Sequence, residues 1–115
     1  MKDITERTFK FAVDILKLFR RMNKEYSADK NIVGKQLLRS GTSVGANVEE
    51  AQSGQSKADF INKMSISLKE ARETNYWLRL LVASGLVKHD EISDLLRESD
   101  ELKRILGAII VSAKK

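Results

Sequence analysis

Apolar positions in this chain recur every three or four residues in four successive blocks, the spacing of helices with one face turned inward. No segment offers a competing strand. In the first block, from Asp3 or Thr5 to about Lys24, two apolar rows run side by side: Phe9, Val13, Leu16 and Phe19, then Phe11, Ile15, Leu18 and Met22. On a helical wheel the two rows merge into an arc of roughly 220°, wider than the ~100° stripe that faces a single core. The first helix is therefore expected to have two apolar neighbours.

The pattern lapses over EYSADKN, residues 25–31, which reads as a turn. A second helix starting near Asn31 then carries Val33, Leu37, Gly41, Val44, Val48 and Ala51 on one seam. The seam runs through RSGTSVGANVEEAQSG, residues 39–54, so Gly41 and Gly45 fall inside a helix although each costs about 1 kcal/mol relative to Ala. Glycines kept at that cost point to a close backbone approach.

SGQS, residues 53–56, ends this segment, and Ser56 followed by Asp59 resembles a capping box. The third helix spans about Lys57 to Ser84, with Met64, Leu68, Ala71, Asn75, Leu78 and Val82 at heptad spacing and Asn75 the polar member. Gly85 is a natural stop. After LVKH, Asp90 is expected to cap a fourth helix, whose apolar positions Ile92, Leu95, Leu102, Ile105, Leu106 and Ile109 continue nearly to the end. Short connections make successive helices antiparallel neighbours, so the expected fold is all-α: an up-down-up-down four-helix bundle, one domain over residues 1–115.

Composition narrows the chemistry. The 115 residues are 42% hydrophobic and 32% charged, enough to bury one core. The absence of proline favours long uninterrupted helices, and the absence of cysteine removes disulfides, thiolate metal sites and thiol nucleophiles. The N-terminus lacks the apolar core of a signal peptide and no apolar run approaches the ~18 residues that cross a bilayer, so a cytoplasmic protein without membrane contact is expected. The net charge of +5 permits an acidic partner without demanding one.

Catalytic readings fail one by one. A phosphate loop needs GxxxxGK[ST] after a strand, whereas Gly41 and Gly45 are too close together and no Lys follows Gly45. A di-metal site in a bundle needs Glu-x-x-His on two helices, and the single His, His89, sits in a connection with no acid three residues before it. A Ser-His-Asp arrangement would have to recruit the same His89 from the end of the bundle. No enzyme, metal or cofactor is expected.

Two polar features remain. In an antiparallel pair turning near residue 55, facing numbers sum to roughly 110. This places Arg39 near Glu70, Ser43 near Ser67, and Asn47 near Lys63 and Met64. Arg39, Asn47, Glu50 and Glu70 are thus expected to form an interhelical polar network, with Arg104 a candidate further member, that fixes register more than it adds stability. The second feature is a basic stripe on the first helix. Lys10, Lys17, Arg21 and Lys24 fall within about 60° of one another and extend roughly 20 Å, a geometry suited to a phosphate backbone. An ordinary solvated face, favoured near a helix C-terminus, accounts for the same residues, and no interleaved aromatic suggests base stacking, Tyr26 being the one most expected to be exposed.

Residues 37–81, LLRSGTSVGANVEEAQSGQSKADFINKMSISLKEARETNYWLRLL, resemble the bacterial four-helix-bundle proteins known as 23S rRNA intervening-sequence proteins. Arg39 matches the family's Arg, Ser43 and Val44 its Ser-Val, Asn47 and Glu50 its Asn and Glu, Phe60 its Phe, and Ser67, Leu68 and Glu70 its Ser-Leu-x-Glu step. Glu49 stands where the family usually has Ala, and Ala51 where it has Gly. The resemblance implies a left-handed bundle assembled into a ring-like homopentamer. Related accessory proteins of diversity-generating retroelements form basic pentamers that bind nucleic acid and a reverse transcriptase. Nucleic acid, RNA above all, is therefore the expected partner class, and a structural or adaptor oligomer that docks a protein is the competing expectation. The family supplies no catalytic residues.

Overall fold

The computed structural model describes residues 2–115 as four helices: α1 (Lys2–Met22), α2 (Ala28–Gln52), α3 (Lys57–Ala83) and α4 (His89–Lys114). No strand occurs among the described residues. The molecule measures 46 × 20 × 19 Å, about one long helix by two helix diameters, as a four-helix bundle requires.

Local chemistry sets the helix ends. α2 begins at Ala28 rather than near Asn31, because the segment that looks like a turn contains a cap. Ser27 is extended, its Oγ accepts the Lys30 N–H at 3.4 Å, and Asp29 Oδ1 accepts the same N–H at 2.9 Å. At α3, Ser56 Oγ accepts the Asp59 N–H at 3.1 Å, as its spacing foretold. Gly85 takes φ +81°, a value that side chains disfavour, and its N–H donates to the Val82 carbonyl at 3.0 Å.

The expected cap of α4 is not Asp90. The helix starts at His89, and Glu91 reaches back so that its Oε1 accepts the Lys88 N–H at 3.2 Å. Asp90 instead sits with Glu91 in the first turn, where negative charge faces the positive end of the helix dipole. α1 stops at Met22, which leaves Lys24 in the turn beyond it.

One apolar cluster runs the length of the bundle. Phe11, Ile15 and Leu18 of α1 meet Leu37, Val44 and Val48 of α2, Met64, Leu78 and Leu81 of α3, and Ile92, Leu102 and Leu106 of α4, all fully buried. The two apolar rows of α1 part company here. Phe11, Ile15, Leu18 and Met22 are buried, whereas Phe9 is 61% and Leu16 37% exposed. Within one chain α1 has a single covered face, because α2 packs closely on it and α4 only sparsely.

Small residues set the close approaches. A Cβ on Gly41 would meet the Ile15 side chain at 2.9 Å, and one on Gly45 the Thr8 carbonyl oxygen at 3.0 Å. Across α2 and α3, Ser67 Oγ donates to the Val44 carbonyl at 2.8 Å, and the Ser40 and Thr74 hydroxyls meet at 2.9 Å. These pairs step in opposite directions along the two helices, so α2 and α3 run antiparallel. Among the described residues no buried side-chain nitrogen or oxygen lacks a partner.

Candidate functional site

The basic stripe of α1 opens onto the loosest seam of the bundle. Arg7, Lys10, Lys17 and Arg21 line a groove of about 560 Å³ between α1 and α4, and Asp14, Glu91, Asp94 and Glu98 line it with them. Arg7 grips Glu98 with two hydrogen bonds, of 2.6 and 3.0 Å, and Lys10 Nζ lies 2.7 Å from Asp14. The Glu98 hydrogen bond raises the Arg7 pKa, and the Asp14 hydrogen bond raises that of Lys10. Four cations thus share the groove with four carboxylates, two of them in direct ion pairs, and the acids weaken the positive field of the stripe. Lys24 lies apart, in the turn.

The second feature centres on Arg39. Its guanidinium donates to both Glu70 oxygens, at 3.1 and 3.3 Å, and to Glu73. Glu73 Oε2 also accepts the Trp77 indole N–H at 3.0 Å. The Trp77 hydrogen bond first, and the Arg39 hydrogen bond with it, hold the Glu73 carboxyl below the usual glutamate range against the effect of partial burial. One arginine of α2 therefore clasps two carboxylates of α3.

Asn47 and Glu50 do not join this cluster. Asn47 Nδ2 donates to the Ser43 carbonyl at 2.8 Å on its own helix, and Glu50 is exposed beside Phe9, Ala12 and Gly45 in the α1–α2 groove. The short Asn side chain is satisfied one turn back before it can reach across. Ser43 Oγ likewise bonds the Arg39 carbonyl at 2.7 Å rather than Ser67, and Arg104 pairs with Glu101 at 3.3 Å on α4. Glu73 and Trp77 are the members that sequence reasoning missed. Their i, i+4 spacing was the available signal.

Asn75, the polar member of the α3 seam, is 6% exposed. Its Nδ2 donates to Ser99 Oγ at 2.9 Å and Asp100 Oδ1 at 3.3 Å, and its Oδ1 accepts from Arg79 Nε at 2.9 Å. It ties α3 to α4 as Arg39 ties α2 to α3. Among the described residues, no three or more His, Cys, Asp and Glu side chains gather as a metal ion would need, and no helix is long and apolar enough to cross a membrane. The His89 side chain is largely exposed, with Nδ1 4.0 Å from Asp90.

Similarity to known proteins agrees with this architecture. A crystal structure of a protein with unknown function from the S23 ribosomal protein family of Bacteroides thetaiotaomicron superposes with a TM-score of 0.87 at 41% identity, covering 93% of this chain and 97% of that one. Among curated proteins none matches. The family model described as 23S rRNA-intervening sequence protein matches residues 2–108. With that match running through all four helices, the chain belongs to the 23S rRNA-intervening sequence protein family.

Proposed function

We propose that this chain is a non-enzymatic, cytoplasmic bacterial protein that works as a homo-oligomer and presents basic surface to nucleic acid, RNA above all. In this reading the bundle is up-down-up-down and left-handed, and copies close into a ring, with five the favoured number. The observation that carries it is the incompletely covered apolar row of α1, where Phe9 is 61% and Leu16 37% exposed while Val13 and Phe19 are half-buried. Beside that row, Ala12, Gly45 and Ala46 line a groove between α1 and α2 together with Glu49 and Glu50, and in this reading the same row of another copy docks there. Assembly would repeat a net charge of +5 in every copy and turn weak individual contacts into multivalent binding.

Light scattering tests the assembly, since a monomeric mass at micromolar concentration overturns it. Titration of a labelled single-stranded RNA at rising salt tests the partner: phosphate contacts should give a log–log slope near −0.7 each. No binding at low salt overturns the nucleic-acid reading in favour of an adaptor oligomer that docks a protein. Loss of binding in Lys17→Glu with Arg21→Glu would assign the contact to α1.

A further inference from the structure

We propose that the outward face of α3 is a stacking platform for single-stranded nucleic acid, with Tyr76 and Arg79 receiving a base and Lys69 and Arg72 its phosphates. The inference rests on the nucleic-acid reading above and deepens it by naming the surface and the form of ligand.

The face is cationic without compensation. The exposed residues of α3 from position 62 to 79 are Asn62, Ser65, Lys69, Arg72, Tyr76 and Arg79, and none is acidic. Their alternating steps of three and four residues keep them on one side of the helix, and Lys69 to Arg79 spans about 15 Å. Lys69, Arg72 and Arg79 make no salt bridge among the described residues. The carboxylates that flank the face are engaged elsewhere. Glu70 and Glu73 are clasped by Arg39, and Asp100 is held by Lys103 at 3.1 Å and by Asn75. Lys69 acts on Glu73 only as a more distant charge. The contrast is with α1, where Arg7 and Lys10 are paired with Glu98 and Asp14, and Glu91 and Asp94 line the same groove as Lys17 and Arg21.

The aromatic at the centre is held in place. Tyr76 is 51% exposed and meets Trp77 edge-on, with centroids 5.0 Å apart at 74°, while the Trp77 indole is fixed by Glu73. The Arg79 guanidinium carbon lies 5.9 Å from the Tyr76 ring centroid, and Arg79 Nε is anchored on buried Asn75. A phenol ring and a guanidinium plane, both pre-oriented and both half in water, are the groups on which unpaired bases stack. Arg79 also borders a groove of about 460 Å³ toward α4, where His89, Ser93 and Arg97 offer further donors to a phosphate. A duplex keeps its bases stacked inside and would leave Tyr76 nothing to stack on, so the face suits a single strand.

The experiment is anisotropy titration of the full chain against fluorescein-labelled single-stranded U20 RNA, the same length of dT, and a 20-base-pair RNA duplex, each at several salt concentrations. Tyr76→Ala is expected to weaken single-strand binding about 5- to 100-fold while leaving the salt slope unchanged, because stacking is uncharged. Tyr76→Phe is expected to restore it. Lys69→Ala with Arg72→Ala should flatten the log–log slope by about 1.4. Circular dichroism confirms that each variant is helical, and the Lys69 and Arg72 pair, being exposed, keeps the test open if Tyr76→Ala misfolds. Duplex binding tighter than single-strand binding, or variants of the α3 face that bind like the wild type, overturn the platform while the nucleic-acid reading stands. Wild-type protein that binds none of the three probes overturns both. Equal affinity for U20 and dT supports stacking without 2′-hydroxyl recognition.

Discussion

Gly41 and Ile15 touch across the α1–α2 seam so closely that a Cβ on Gly41 would stand 2.9 Å from both Cγ1 and Cγ2 of Ile15. Ile15 is fully buried and branched at Cβ, so it has no rotamer into which it can swing clear. Overpacking of this kind costs about 1–3 kcal/mol, against the ~1 kcal/mol that replacing a helical Gly by Ala returns. Gly41→Ala is therefore expected to destabilise the protein in urea denaturation. Gly107→Ala, in α4, where an added Cβ meets nothing within 4 Å, is expected to stabilise it by about 0.5–1 kcal/mol. Stabilisation by both would show that the α1–α2 seam yields.

Asn75 should behave as a satisfied buried amide rather than as a defect in the seam. Asn75→Ala removes three hydrogen bonds and leaves Arg79 without its anchor, and is expected to cost about 1–3 kcal/mol. Asn75→Leu combined with Ser99→Ala replaces both facing polar groups by apolar ones and should cost less than Asn75→Ala alone. Thermal melts of the two variants in one buffer decide this. A double variant that melts lower would mean that Asp100 and Arg79 depend on the amide more than the core does.

The Glu73 clasp should make stability sensitive to acid. A carboxyl whose folded pKa is depressed contributes stability above its unfolded value, about 4.3 for glutamate, and loses it as pH falls through the lower folded value. Trp77 and Arg39 depress Glu73, so the clasp is intact at neutral pH and loosens only below that value. The group is partly solvated, which keeps the effect small and reduces it further in salt. Trp77 is the single tryptophan and a direct reporter. Its fluorescence should titrate below pH 4.3 in the wild type, and Glu73→Gln should abolish that step. A step that persists in Glu73→Gln would assign the titration to another carboxylate.

The exposed row of α1 should govern assembly without governing the fold. Phe9→Lys or Leu16→Lys places a charge where this chain gives only partial cover and the ammonium can reach water, so the helical circular dichroism should be unchanged while the mass in light scattering falls. Phe11→Lys is the contrast, since Phe11 is 1% exposed and the variant should unfold. An unchanged mass for both surface variants would remove the self-association surface from α1.

Much of the Arg39 clasp could be read in advance. An antiparallel turn near residue 55 brings positions 39 and 70 together by arithmetic alone, and a charged pair at that register has an obvious partner. Asn47 and Glu50 went astray because register gives level along the axis but not which face a side chain turns to, nor whether its own helix satisfies it first. The start of α2 was missed because Ser27 and Asp29 lie in a run of polar residues that looks like any turn. Their capping role depends on a backbone that turns helical immediately afterwards.

The sequence by itself determined four helices, their seams, the stop at Gly85 and the family, because helical periodicity and turn chemistry act over a few residues and motifs survive as strings. What only the tertiary structure decided was how each helix is rotated against its neighbours. That rotation set Glu91, Asp94 and Glu98 opposite the α1 stripe, left Phe9 and part of Leu16 exposed, and drew Glu70 and Glu73 onto Arg39. Lys69, Arg72 and Arg79 were left without a salt bridge among the described residues. A wheel drawn for one helix counts its charges, but cancellation depends on distances to the next helix, and only packing supplies those.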